Sequence, residues 1–260
     1  MDIRFCGNNT PGNPAEGICD EYRLSAIERF DELLDAWRKL GAEHPGHHIL
    51  LSLDDPGQAR YTSGHVRNNL YLDEVKPQDL VGLPAECFEK GEHIGYLTTK
   101  AEFPICLRNF MALVADVSFA DACAFGLTLS DESLQEWIDY QAQPLSLLDQ
   151  PLLALVVPVE HASQALAAFP NGYFEPDLGP AHNHAVAQRF FLQHGYALLG
   201  VGASYLGFVR AEPASPAVAQ ALAEDLCALY NTDQAQRPAR LAAFAGAIIG
   251  CRHLWLRYVE

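Results

Sequence analysis

The chain has 260 residues, 49% of them hydrophobic and 19% charged, with 19 Gly and 16 Pro. This composition excludes a disordered chain, a collagen-like fibre and a coiled coil, and leaves enough length for a buried core. The formal charge of −16 repels phosphate backbones and anionic lipid surfaces, so neither nucleic acid nor a membrane is an expected partner.

Read from the start, Met1–Cys6 is compatible with a short strand, followed by a Gly/Pro/Asn loop to about Gly17. The opening carries no apolar leader core, and the longest apolar stretches, Leu152–Val159 and Leu241–Cys251, fall short of the ~20 residues that span a bilayer. A cytoplasmic location is therefore expected. Leu24, Ile27, Phe30, Leu34, Trp37 and Leu40 recur at helical spacing, with Ser25 and Glu28 as a capping box and Gly41 as a stop. His48–Leu53 reads as a strand closed by Asp54-Asp55-Pro56-Gly57, and Val66–Leu72 as a strand able to pair with it. The stretch from Lys76 to Glu102 is weakly patterned, broken by Pro84 and Gly91. Pro104–Val117 reads as a helix, Phe125–Leu129 as a strand, and Ser130 as the start of a helix to about Gln143.

Gln141–Pro151 is the expected boundary, and the patterning sharpens beyond it. Leu152–Val159 has the continuous apolar character of a strand covered on both faces. A short helix at His161–Phe169, a loop at Pro170–Pro180 and a helix at His182–His194, stopped by Gly195, follow. Tyr196–Val201 and Tyr205–Arg210 read as a hairpin, Ser215-Pro216 and Pro238 open two helices, and His253–Val259 alternates as a last strand. The order is β-α-α-β-β-α-α-β, so the fold class expected is α+β, with helices on a mixed or antiparallel sheet. Residues 1–150 carry a net charge of −14 and residues 151–260 only −2. This asymmetry predicts two subdomains, an acidic region at 1–145 and a second unit at 151–260.

Residues 152–260 resemble the bacterial family known as domain of unknown function 4253. The matching pieces are Leu152–Val159, Arg189-Phe190-Phe191-Leu192-Gln193-His194-Gly195-Tyr196, Leu198–Val209, the Pro213–Pro216 turn, Ala221-Leu222-Ala223-Glu224 and His253-Leu254-Trp255-Leu256-Arg257-Tyr258. The family often has Cys-Pro-Asp where this chain reads Leu229-Tyr230-Asn231. The resemblance implies no catalytic residue. It implies a possible role beside bacterial toxins, as an immunity-type protein.

The seven cysteines show no C-x-x-C spacing and sit mostly among apolar residues, as in a reduced compartment. Gly200-Val-Gly202-Ala-Ser204-Tyr-Leu-Gly207 lies between two strands, so it reads as a hairpin turn and not a dinucleotide loop. Ser204 lacks a nucleophile elbow, and Asn8-Asn9-Thr10 is a sequon without meaning in the cytoplasm. No catalytic motif stands out and no cofactor is expected. The leading expectation is a non-enzymatic module that binds a basic protein through an acidic face containing Asp31, Asp35, Trp37, Asp73 and Glu74, with Tyr22 or Tyr71 as further anchors. The alternative is a hydrolase whose metal is held by His44, His47 and His48 with Asp54 and Asp55, or by His182 and His184 with Glu175 or Asp177.

Overall fold

The computed structural model describes residues 1–8 and 17–260. Its fold is α+β. Seven strands form one sheet: β1 (Asp2–Gly7), β2 (Asp20–Ser25), β3 (His48–Ser52), β6 (Leu152–Val157), β7 (Ala197–Val201), β8 (Tyr205–Val209) and β9 (His253–Arg257). Their spatial order is β1-β2-β6-β3-β7-β8-β9. Every neighbour pair is antiparallel except β3 and β7, which run parallel through Leu51 opposite Gly200 and Ser52 opposite Val201. A small hairpin of β4 (Phe88–Glu89) and β5 (Glu92–His93) stands apart.

The position of β6 corrects the expectation of two subdomains. This strand of the second half lies between β2 and β3 of the first, and all six of its residues are buried. Both halves contribute to one sheet and one apolar cluster, so the difference in charge does not mark two separate units.

Helices cover both faces of the sheet. On the face bearing His253 and Trp255 lie α1 (Phe30–Glu43) and α5 (Asp131–Ala142): Phe30 packs edge-on against both rings, and Trp137 Nε1 donates to Trp255 O at 2.6 Å. Phe208 and Leu254 pair on the opposite face, where Phe208 meets Phe190 of α6 (Pro180–His194). Gly207 makes room for the tryptophan, because a Cβ there would come within 2.6 Å of Trp255 Cζ3. The remaining helices are α2 (Pro56–Asn69), α3 (Phe103–Val114), α4 (Phe119–Ala124), α7 (Pro216–Leu229) and α8 (Arg237–Ile248).

Most of the second half follows its pattern: β6, α6, the β7–β8 hairpin, α7, α8 and β9 lie where periodicity places them, and Ser215 caps α7 through Val218 N. The helix expected at His161–Phe169 is a 3-10 segment over Ala162–Ala167. In the first half, Ser130 caps α5 through Ser133 N as expected. Leu24 and Ser25, however, end β2 instead of opening a helix, because Leu24 pairs with Leu152 and is fully buried. The link to α1 is held by Gln150, whose side chain accepts from Ile27 N at 2.8 Å and donates to Ile27 O at 3.0 Å. Val66 belongs to α2 and not to a strand: Ala59, Thr62, Ser63, Val66 and Arg67 form its buried stripe. Phe125–Leu129 forms no strand: Phe125 ends α4 in a helical conformation, Gly126 follows at φ 84°, and the residues after it belong to no regular element. The loop after β1 and most of the Asn8-Asn9-Thr10 sequon lie outside the described residues.

Candidate functional site

Strands β3 and β7, the parallel pair of the sheet, end together near its middle. Beyond β3 the chain passes through Asp54 and Asp55. Asp55 adopts a left-handed conformation (φ 34°), caps α2 by accepting from Gln58 N at 2.9 Å, and donates its own N–H to Asp149 Oδ2 at 2.8 Å. A non-glycine residue held there stores strain that the surrounding bonds must offset. Asp54 ties the end of β3 to the β7–β8 turn: its carboxylate accepts from Ser204 N at 2.8 Å and Tyr205 N at 3.3 Å, and its carbonyl accepts from Ala203 N at 3.0 Å. The approach is close enough to require glycine at position 202, where a Cβ would lie 1.8 Å from Asp54 Oδ1. Burial pushes the Asp54 carboxyl up to about 6, against the opposing pull of its backbone donors.

Behind this turn lies a buried network of amides and hydroxyls. Thr62 of α2 donates to Asn171 Oδ1 at 2.6 Å, and Asn171 Nδ2 donates to Ala59 O at 3.1 Å and Gly202 O at 3.3 Å. Asn183 of α6 donates to Asn171 O and Leu178 O, both at 3.0 Å. The Tyr258 hydroxyl lies 2.8 Å from Gly202 O and 2.7 Å from Ala203 O. Five segments are thereby locked together: α2, the 171–178 loop, α6, the hairpin turn and the chain after β9. Asn183 Oδ1 is the one side-chain acceptor of these residues buried without a partner among the described residues; the bonds that are made fix geometry more than they add net stability.

The locked loop and helix present aromatic rings to solvent. Tyr61 and His65, one turn apart on α2, have centroids 4.5 Å apart; His65 meets Tyr173 at 5.2 Å, and Tyr173 meets Phe174 at 5.2 Å. Tyr61 is 59% exposed, Phe174 50% and Tyr173 37%, and the half-buried His65 links Tyr61 to Tyr173. Exposed carboxylates stand nearby in the chain at Asp55 and Glu175. Elsewhere, a concavity of about 240 Å³ between His161 and α6 has an apolar floor that includes Ala187, Phe191 and Leu198 and gathers no charged side chains.

The residues singled out from sequence are dispersed. His44, His47 and His48 lie at the start of β3, whereas Asp54 and Asp55 follow its end, roughly 20 Å away at ~3.3 Å per residue. His44 Nε2 contacts the Tyr22 hydroxyl at 2.9 Å, His47 Nδ1 lies 3.2 Å from Pro45 O, and burial pushes His48 down to about 4 beside Trp37. On α6, His182 turns toward Phe125 while His184 is buried against Phe110, its imidazole pushed down to about 4 by burial. Asp177 turns back to accept from Phe174 N at 3.2 Å. Among the described residues no three His, Cys, Asp or Glu side chains converge as a metal site. The expected ligands are therefore not gathered into one site: His44, His47 and His48 lie toward one end of β3, and Asp54 and Asp55 follow the other.

The acidic docking face is only partly as expected. Asp31 and Glu74 are exposed. Asp35 pairs with Arg38 at 2.9 Å and Asp73 with Arg67 at 2.6 Å, so both are locally balanced. Trp37 is a core prop and not an anchor, since its indole donates to Ile49 O at 2.7 Å. The Tyr22 hydroxyl is engaged by His44, while Tyr71 is exposed. Cysteine follows the packing expectation where burial is deepest, with the Cys106 thiol pushed up to about 12. No helix among the described residues is long and apolar enough to cross a membrane.

Against known proteins, no family model matches the chain, and no curated protein or solved structure shows significant similarity to it.

Proposed function

We propose that this chain is a protein-binding module that holds a basic partner across the aromatic surface of α2 and the 171–178 loop. The observation that carries the proposal is the set of four linked rings, Tyr61, Tyr173 and Phe174 exposed and His65 half-buried between them, seated on a buried hydrogen-bonded network. Rings held in place before binding lose little entropy on contact, and aromatic side chains dominate interface energetics. A basic partner suits both the ring faces, which attract Arg and Lys, and the net charge of −16, which accelerates encounter. Arg60, next to Tyr61 in the chain, puts a base on the same helix, so the charge argument rests on the whole chain and not on a local acidic cluster. The resemblance of residues 152–260 to the unknown-function family belongs to this proposal, and makes a basic toxin the first partner class to try.

The test is capture of partners by tagged protein from its own cells at low and high salt, with three baits: wild type, Tyr61→Ala/Phe174→Ala, and Asp31→Asn/Asp35→Asn. A stoichiometric basic protein held by wild type, weakened by salt and lost from the aromatic variant supports the reading. Equal capture by the aromatic variant, or loss only from the acidic variant, overturns it and returns the site to α1.

A further inference from the structure

The two edges of the sheet are unlike. At one edge β9 is buried, packed against α5. At the other, Asp2, Ile3, Arg4 and Phe5 of β1 are all exposed, with Phe5 56% and Ile3 38% open to solvent. Among the described residues β1 pairs only with β2, which leaves the N–H and C=O groups along its other side without a strand partner there. Natural edge strands are blunted by charges, Pro, bulges or a covering element; β1 has charges at Asp2 and Arg4 and an irregularity between Phe5 and Gly7, but no Pro or Lys.

The occupant of this edge is written in its charges. Within the sheet Arg4 lies opposite Arg23, a like-charge pair; Arg23 has Glu21 at 3.4 Å, whereas among the described residues no ion pair reaches Arg4. A second copy of β1, antiparallel and centred on Ile3, sets Asp2 of each copy opposite Arg4 of the other. The same register sets Ile3 against Ile3 and Phe5 against Met1, with all three apolar residues on one face. A two-fold axis through a residue closes the ladder whichever alternate amides point outward. Sliding the centre to Arg4 would stack Arg4 on Arg4, so charge selects the Ile3 register.

We propose that this protein self-associates through β1, joining two seven-stranded sheets edge to edge by reciprocal Asp2–Arg4 pairs. The contact is separate from the aromatic surface of α2, so the two can be tested apart. A single strand pair buries less than standard interfaces of roughly 1,200–2,000 Å², so the association is weak and depends on concentration.

Light scattering or sedimentation over a dilution series reaching on the order of 1 mM reads the mass. The expected wild-type mass rises from 28.6 kDa toward twice that value. Asp2→Arg sets Arg against Arg, and Arg4→Asp sets Asp against Asp. Each acts on both pairs of the dimer and is expected to weaken association roughly tenfold. The double swap restores opposite charges and the dimer. Arg4→Asp also places an acid beside Arg23 within the same chain, so loss of dimer there is not loss of fold, and an unchanged thermal melt checks this. A wild type that stays monomeric throughout, single swaps that dimerise as wild type does, or a double swap that stays monomeric each overturns the proposal.

Discussion

Asp54→Asn isolates the carboxylate that joins β3 to the β7–β8 turn. In the folded protein burial holds this carboxyl near 6, against an ordinary value of 3.8. Because the folded state binds its proton more tightly than the unfolded state, the group stabilises the fold at low pH. That contribution is lost as pH rises through about 6. At ~1.4 kcal/mol per tenfold change in proton affinity, the whole effect is about 3 kcal/mol, of which about 2 kcal/mol falls between roughly pH 4.5 and 7.5. Asparagine cannot ionise, and it keeps one acceptor for the N–H groups of Ser204 and Tyr205. Losing the second acceptor adds a constant offset of about 1 kcal/mol. The assay is urea unfolding of wild type and variant at matched pH values, read as the difference in stability so that all other titrating groups cancel. The difference, wild type minus variant, is expected to fall with rising pH. A flat difference would refute a perturbed Asp54, and a rising one would show that the two backbone donors outweigh burial.

Three further outcomes follow from the same geometry. Asn171→Ala removes the amide that accepts from Thr62 and donates to Ala59 O and Gly202 O; denaturant unfolding should show a loss of about 2 kcal/mol, with faster amide exchange in the 171–178 loop. Gly202→Ala forces a methyl onto Asp54, and a loss of about 3 kcal/mol or more is expected by thermal melting. Burial alone would raise the fully buried Glu102, yet donors from Thr98 and Thr99 at 2.9 and 2.8 Å and from His93 at 2.7 Å hold it below its ordinary range. Its contribution is present above the ordinary carboxylate range and lost as pH falls through the lowered folded value. Glu102→Gln should therefore cost about 2 kcal/mol near neutral pH, and less in acid, in an acid-titration series.

Legibility in the sequence follows how local the determining contacts are. β6 reads from sequence because six consecutive apolar residues have no other comfortable place than between two strands. The ends of α5, α6 and α7 read because Ser130, Gly195 and Ser215 act on the adjacent turn. The start of α1 does not, because Leu24 and Ile27 keep helical spacing while Leu152 and Gln150, over a hundred residues on, decide that Leu24 joins a sheet. α2 hides for a different reason: three of its five buried residues are Thr62, Ser63 and Arg67, whose polarity masks the helical period. The candidate site is the least legible part. Asn171-Gly172 reads as a turn, and nothing in it announces that the amide meets Thr62, 109 residues earlier. Tyr61 and His65 show only a helical pair, and Tyr173 joins them through the fold alone.

The interleaving of strands also decides what the charge boundary near residue 150 means. Were 151–260 an independent unit, its strands would suffice for a sheet without the first half. Instead β6 is flanked by β2 and β3, and β7 reaches β6 only through β3. Cutting at residue 150 strips both neighbours from β6, a strand of six buried apolar residues, and one neighbour from the buried β7. Exposed apolar edges of that kind aggregate. Residues 151–260 expressed alone should be insoluble, and should gain solubility when residues 1–150 are supplied as a second chain that restores β2 and β3. A soluble fragment with a cooperative melt would show that the helices of the second half form a core without the shared sheet. A rescue by residues 1–150 would show that the acidic half supplies the central strands as well as charge.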